Sequence, residues 1–254
     1  MAVELLANLQ GAAVIGGATL ALGKLGGGRP SHLIDLCDAG LDRIGWRGHH
    51  LSIGATTTMR DLRRHPELSA PGLAAIMAMA GHFEPLPVAA QATLGGNLCT
   101  GVGSLVAPLL LYEAHAVLLG PDGERHAPIA PLRLHPGEII LSVELEPGSP
   151  MARSGCQSLR RTPVGPALVT LAALVDGDQL RLAVSGIEAP ARRLRDLEGR
   201  WDRRSVAQWA ESIAHVVRPI DDARGSADYR RAMVGVLAER LLKELLPTEL
   251  REVH

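Results

Sequence analysis

The sequence predicts an α+β chain in two parts: a two-lobed α/β domain over about residues 1–150, then a smaller α+β domain over 151–254. Two observations carry this division. Short apolar runs alternate with helix-forming stretches as far as "PGSP" (147–150). Beyond that break the texture changes to two strands around a turn, followed by two amphipathic helices. With 254 residues and 46% hydrophobic content, the chain can fill a core in each part.

In order, "AVELLANLQ" has helix-forming composition, and "AAVIG" after it reads as a buried strand ending at Gly16. "GGGRP" (26–30) is a turn cluster, and "SHLIDL" (31–36) a second strand. Alternating apolar residues around "WRGHH" predict a hairpin, and the two lobes are expected to divide near Ile53. "TTTMRDLRRHPEL" starts a helix on a threonine cap and stops before Pro66. "APGLAAIMAMAGH" is a small-residue helix closing at Gly81. "PLLLYEAHAVLLGPDGERHAPI" passes from helix to strand and turns at "PDG", and "PGEIILSVELEP" (136–147) is a strand by its β-branched content.

In the second part, "ALVTLAALVDGDQLRLAVSG" gives two strands about "DGD". Ser205 is placed to cap a helix with Val206, Trp209, Ile213 and Val217 along one side. Ser226 caps another, whose buried face is expected to carry Met233, Leu237, Leu241 and Leu245.

Composition excludes several functions. A formal net charge of -1 offers no basic field for nucleic acid, and 2% aromatic content argues against base stacking. The longest apolar stretch (104–120) carries Glu113 and His115, so no membrane insertion is expected. No basic leader precedes Glu4, and the three cysteines, Cys37, Cys99 and Cys156, form no CxxC pair. These features lead us to expect a cytoplasmic protein with no metal site of its own.

Two glycine pairs stand out: "AAVIGGATLALGK" (12–24) and "QATLGGNLCT" (91–100), each an apolar run, Gly-Gly, then a small polar residue nearby. Glycines after a strand let successive N–H groups face an anion, and Thr19 or Asn97 could add a side-chain donor. A Gly-Gly pair makes a plain turn equally well, and the residues alone leave both readings open. The standard phosphate motifs are missing: "GVGSLV" (101–106) lacks the third glycine of G-x-G-x-x-G, and Leu25 stands where a P-loop needs Ser or Thr. No catalytic acid, base or nucleophile is evident.

"VIGGATL", "RPSHLIDL", "LSIGATTTMRDLRRHPEL", "ATLGGNL" and "PGEIILSVELEP" together resemble, in this order, the FAD-binding medium subunit of molybdenum hydroxylases, the carbon monoxide dehydrogenase and xanthine dehydrogenase family. "GIEAPARRL" and "SADYRRAMVGVLAERLL" resemble that family's C-terminal domain. The resemblance covers nearly the whole chain. It implies a PCMH-type FAD domain like that of vanillyl-alcohol oxidase, with the carbon monoxide dehydrogenase flavoprotein C-terminal domain after it. It also implies FAD as cofactor, held by Ile15, Gly16, Gly17, Ala18, Thr19 and Leu20 in one loop and by Thr93, Leu94, Gly95, Gly96 and Asn97 in the other, with Ser104 beyond. The implied partners are a large molybdopterin-binding subunit and a small [2Fe-2S] subunit, assembled as a dimer of heterotrimers. The flavin would then carry the chemistry, passing electrons from the clusters to an external acceptor.

The sequence departs from the family at several places. "VAAQ" (88–91) has Ala89 and Ala90 where an Arg or Lys is usual, Leu105 stands near an Asp position, and Cys156 stands where some relatives have a lysine near the flavin. These departures define an alternative: a structural subunit of the same complex type with lost or weakened FAD binding.

Overall fold

The structure, a computed structural model, describes residues 1–19, 30–83, 86–100, 103–162, 167–188, 190–201 and 204–247. Helix α1 (Ala2–Asn8) leads into strand β1 (Ala12–Ile15), which pairs parallel with β2 (His32–Asp35). Leu6 and Val3 of the helix pack with Val14, Ile34 and Leu36, so this first lobe is a small layer of helix on sheet.

Strands β3 (Ile44–Arg47) and β4 (His50–Gly54) form the expected hairpin, with Gly48 at φ +63 in its turn. Four short helices follow: α2 (Met59–Leu62), α3 (Ala74–Gly81), α4 (Leu86–Ala89) and α5 (Leu94–Leu98). A fifth, α6 (Val106–Leu110), precedes β5 (His115–Gly120), β6 (Gly123–Pro128) and β7 (Ile139–Leu145). The five strands make one antiparallel sheet in the order β3-β4-β7-β5-β6. Met59, Leu62, Ile76, Met79 and Leu109 from the helices cover Leu51, Ile53, Val143 and Leu145 on its inner face. Ile53 itself lies inside β4, opposite Ile44 and Val143. The change of lobe therefore falls earlier than expected, in the 36–43 connection, because Ile53 is a fully buried member of the second sheet's core.

Strands β8 (Arg153–Arg160), β9 (Ala167–Asp176) and β10 (Gln179–Ser185) form consecutive antiparallel pairs. Sequence reasoning missed β8. Its residues "RSGCQSLR" place Ser154 and Cys156 on one face and Gly155 and Gln157 on the other, so no apolar alternation marks it. The sheet is covered on both sides: Cys156, Ala172, Leu174 and Ala183 join the core beneath α3 and α6, while Leu171, Ala173 and Leu182 join a second core. That second core is closed by helices α7 (Val206–Val216) and α8 (Ala227–Leu245). Ser205 caps α7 in a capping box with Gln208, and Ser226 caps α8. The buried stripe of α8 runs through Val234, Leu237, Ala238, Leu241, Leu242 and Leu245. Met233 is only half-buried, a correction to the expected face, because Arg230 occupies the stripe's first turn and rotates it toward Val234.

Candidate functional site

The two glycine pairs, far apart in the chain, meet. Strand β1 ends at Ile15, whose carbonyl accepts from Leu36 N–H at 2.9 Å. The backbone then turns sharply: Gly17 has φ +88 and Ala18 φ +52. A β-carbon on Gly17 would lie 1.7 Å from the Gln91 carbonyl oxygen, so only glycine fits where the two segments touch. Among the described residues neither Ala18 nor Thr19 has a hydrogen-bond partner, so their consecutive N–H groups are spare donors at the turn. Leu20, also predicted for this loop, lies outside the described residues.

The second pair differs from the sequence expectation. It does not follow a strand as an open loop; Leu94–Leu98 is one turn of α-helix, N-capped by Thr93. Its N–H groups are already spent: Leu94 donates to Thr57 O at 3.0 Å, Gly95 to Ala55 O at 2.8 Å and Gly96 to Thr93 Oγ1 at 3.2 Å. These glycines serve close packing instead. A β-carbon on Gly95 would sit 3.1 Å from Ala55, and one on Gly96 would sit 3.0 Å from Thr93 Oγ1. Among the described residues the clasp between the two segments is a single bond, in which the Thr93 hydroxyl donates to Gly16 O at 2.7 Å.

Asn97 is buried, and its side chain turns toward the following segment: Oδ1 accepts from Leu105 N–H at 3.1 Å, and Nδ2 approaches Ser104 Oγ at 3.5 Å. Asn97 thus fixes where Ser104 stands. Leu105 itself is fully buried in the core, so its position is apolar packing here. Ala89 is buried as well. Cys156 lies in the core beside Ala172, and burial pushes its thiol well above the ordinary range, so it supplies neither charge nor nucleophile.

Two supporting residues escaped sequence reasoning. Thr56 Oγ1 is buried without a partner, while Thr56 Cγ2 lies 3.7 Å from the place of a β-carbon on Gly16. Its sequence signals were the threonine run after β4, read as a helix cap, and its place in the block "LSIGATTTMRDLRRHPEL". Cys37 follows β2 beside the first turn; the Asp35 side chain holds its thiol above the ordinary value, against an opposing pull from Gly17 N–H. Among the described residues no group of three or more His, Cys, Asp or Glu side chains could hold a metal ion. No helix among them is long and apolar enough to cross a membrane.

The profile of the family described as the FAD-binding domain in molybdopterin dehydrogenase matches residues 1–146. The chain belongs to that family. A second profile, the CO dehydrogenase flavoprotein C-terminal domain, matches residues 164–245. The chain is 27% identical to the carbon monoxide dehydrogenase medium chain of Hydrogenophaga pseudoflava, over 95% of this chain and 92% of that one. It is 28% identical to the uncharacterized protein YgfM of Escherichia coli K12, over 82% of this chain and 78% of that one. Among solved structures, carbon monoxide dehydrogenase from Hydrogenophaga pseudoflava superposes with a TM-score of 0.85 at 26% identity, covering 96% of this chain and 93% of that one. Quinoline 2-oxidoreductase from Pseudomonas putida 86 shares the fold, with a TM-score of 0.85 at 22% identity over 96% of this chain and 92% of that one. The family's two profiles thus flank β8, the strand that sequence reasoning missed.

Proposed function

We propose that this chain is the cytoplasmic FAD-carrying electron-transfer subunit of a molybdenum hydroxylase complex, with a large molybdopterin-binding subunit and a small [2Fe-2S] subunit as partners in a dimer of heterotrimers. The observation that carries the reading is the meeting of the two glycine segments at Gly16 and Thr93, with the spare donors of Ala18 and Thr19 beside the contact. Those residues fit a dinucleotide: a glycine turn that lets backbone come close, and N–H groups suited to phosphate oxygens. Ser104, which the family resemblance gives to the same cofactor, is held in place by Asn97. FAD, when bound, would supply the redox chemistry between the partner's clusters and an external acceptor. The chain's own part is to bind and orient the cofactor at the first turn, backed by the fixed helical turn at Leu94–Leu98.

A second reading is favoured by Ala89 and Leu105, buried apolar residues that themselves offer the cofactor no charge: a structural subunit that keeps the fold with weakened FAD binding. One missing charge-assisted contact costs roughly 1.5–3 kcal/mol, about tenfold to a hundredfold in affinity, which leaves the backbone donors in place. Purified complex should show flavin absorbance, with FAD extracted near one per chain. No FAD, even after incubation with excess, would reject the flavoprotein in favour of the structural subunit. Isolation from the native host without iron–sulfur or molybdopterin chains would reject the partners.

A further inference from the structure

We propose that Thr93 is a positioning residue, whose hydroxyl fixes the first glycine turn against the second segment and so acts on the cofactor without touching it. This role rests on the FAD reading above and on the single proton of the Thr93 hydroxyl. A threonine hydroxyl has one proton to donate and lone pairs to accept with. Thr93 gives its proton to Gly16 O at 2.7 Å and accepts from Gly96 N–H at 3.2 Å. A phosphate of FAD presents only acceptor oxygens at neutral pH, so Thr93 could bond to it only by releasing Gly16. The residue is 4% exposed, which leaves its hydroxyl little access to a ligand in any case.

Its surroundings fix its geometry on both sides. Thr93 pairs with Thr58 in an isolated antiparallel bridge, and Leu94 N–H and Gly95 N–H are tied to Thr57 O and Ala55 O in the segment that follows β4. The second segment is thus anchored to the five-stranded sheet, whereas the first turn belongs to the separate two-stranded sheet. Thr93 Oγ1 joins the two at the point where Gly17 presses on Gln91 O. The spare donors at Ala18 and Thr19 begin two residues past the carbonyl it holds. Thr93 therefore sets the position of those donors.

The test uses the full chain with Thr93→Val, Thr93→Ala and Thr93→Ser, read by hydrogen exchange without cofactor and by titration with FAD. Val and Ala remove the clasp and should speed exchange across residues 12–17 before any FAD is added. They should also raise the FAD dissociation constant about tenfold, the size of one lost hydrogen bond. Ser keeps the hydroxyl and should restore both readings. Weakened FAD binding with unchanged exchange across 12–17 would make Thr93 a direct ligand and overturn the proposal. Unchanged affinity in Val and Ala, or failure of Ser to rescue, would also overturn it. If the unaltered chain takes up no FAD, the flavoprotein reading fails, while the exchange readings still decide whether the clasp holds the first turn.

Discussion

Tyr112 Oη and Ser154 Oγ stand 2.9 Å apart, joining the end of α6 to strand β8 in a buried setting. Tyr112 spends its only proton on Gly72 O at 2.8 Å, so Ser154 must be the donor between the two. Ser154 Oγ in turn accepts from Ala75 N–H at 2.9 Å, at the start of α3. This chain of bonds ties the helical layer of the first part to the sheet of the second. Tyr112→Phe should cost about 1–3 kcal/mol, because it leaves a buried carbonyl unpaired. Ser154→Ala should cost a similar amount, and the double variant less than the sum, since the two share one network. Urea unfolding of the four proteins measures this; strict additivity would show that the two groups act separately.

Gly17 and Gly96 should respond differently to added side chains. Gly17→Ala meets both a positive φ and a backbone oxygen that cannot retreat, and should lose at least about 2 kcal/mol of stability. Gly96→Val meets no backbone atom closer than 3.8 Å but presses at 3.0 Å on the Thr93 hydroxyl that clasps Gly16, and should leave a folded protein that has lost its flavin absorbance. Thermal unfolding separates the two, and a Gly96→Val protein with its full flavin spectrum would free the second segment from any part in the cofactor site.

Arg230 is fully buried and donates to Leu168 O at 2.8 Å, Gly186 O at 2.6 Å and Asp222 Oδ1 at 2.5 Å. It gathers the ends of β9 and β10 with the loop before α8. Arg230→Met leaves Asp222 and the carbonyls without their shared donor, and should cost about 3–5 kcal/mol. Arg230→Lys should recover little, because one ammonium cannot reproduce the planar fork. Stability of the Lys variant equal to that of the unaltered chain would show that charge alone suffices here.

Glu138 should give the chain part of its acid sensitivity. Arg125 binds it through two nitrogens, at 2.5 and 2.7 Å, and holds its carboxyl down from about 4.5 to about 2. A lowered carboxylate pKa stabilises the fold fully above the unfolded value, and that stability drains away as pH falls from about 4.5 to about 2. Glu138→Gln should flatten the stability profile across that window and leave the shape above it unchanged. Unfolding midpoints at a series of pH values test this; an identical slope in the variant would exclude Glu138 as a source.

Most of the local structure could be read from the residues alone. Thr58, Ser205 and Ser226 cap the helices that their side chains announce, "DGD" and "PDG" make the turns their types favour, and Gly48 sits in the hairpin tip. Each of these depends on bonds within a few residues, which sequence carries directly. Strand β8 was not legible, because its polar face is covered by α3 and its other face by α8, so burial never appears as alternation. The shift of the α8 stripe from Met233 to Val234 had the same cause, since a buried Arg230 cannot be told from a solvated one without its distant carbonyl partners.

By itself, then, the sequence determined most element types, the division of the chain into two textures and, through motif order, the family that carries an FAD-binding domain. Tertiary structure decided what each glycine pair does. Gly16 and Thr93 are 77 residues apart, and nothing local records that one hydroxyl joins them. Nor does local sequence show that the N–H groups of Gly95 and Gly96 are consumed by Ala55 and Thr93, leaving the spare donors at Ala18 and Thr19. A backbone donor has the same identity in every residue; only the packing of distant segments fixes which donors are satisfied inside the protein and which remain for a ligand.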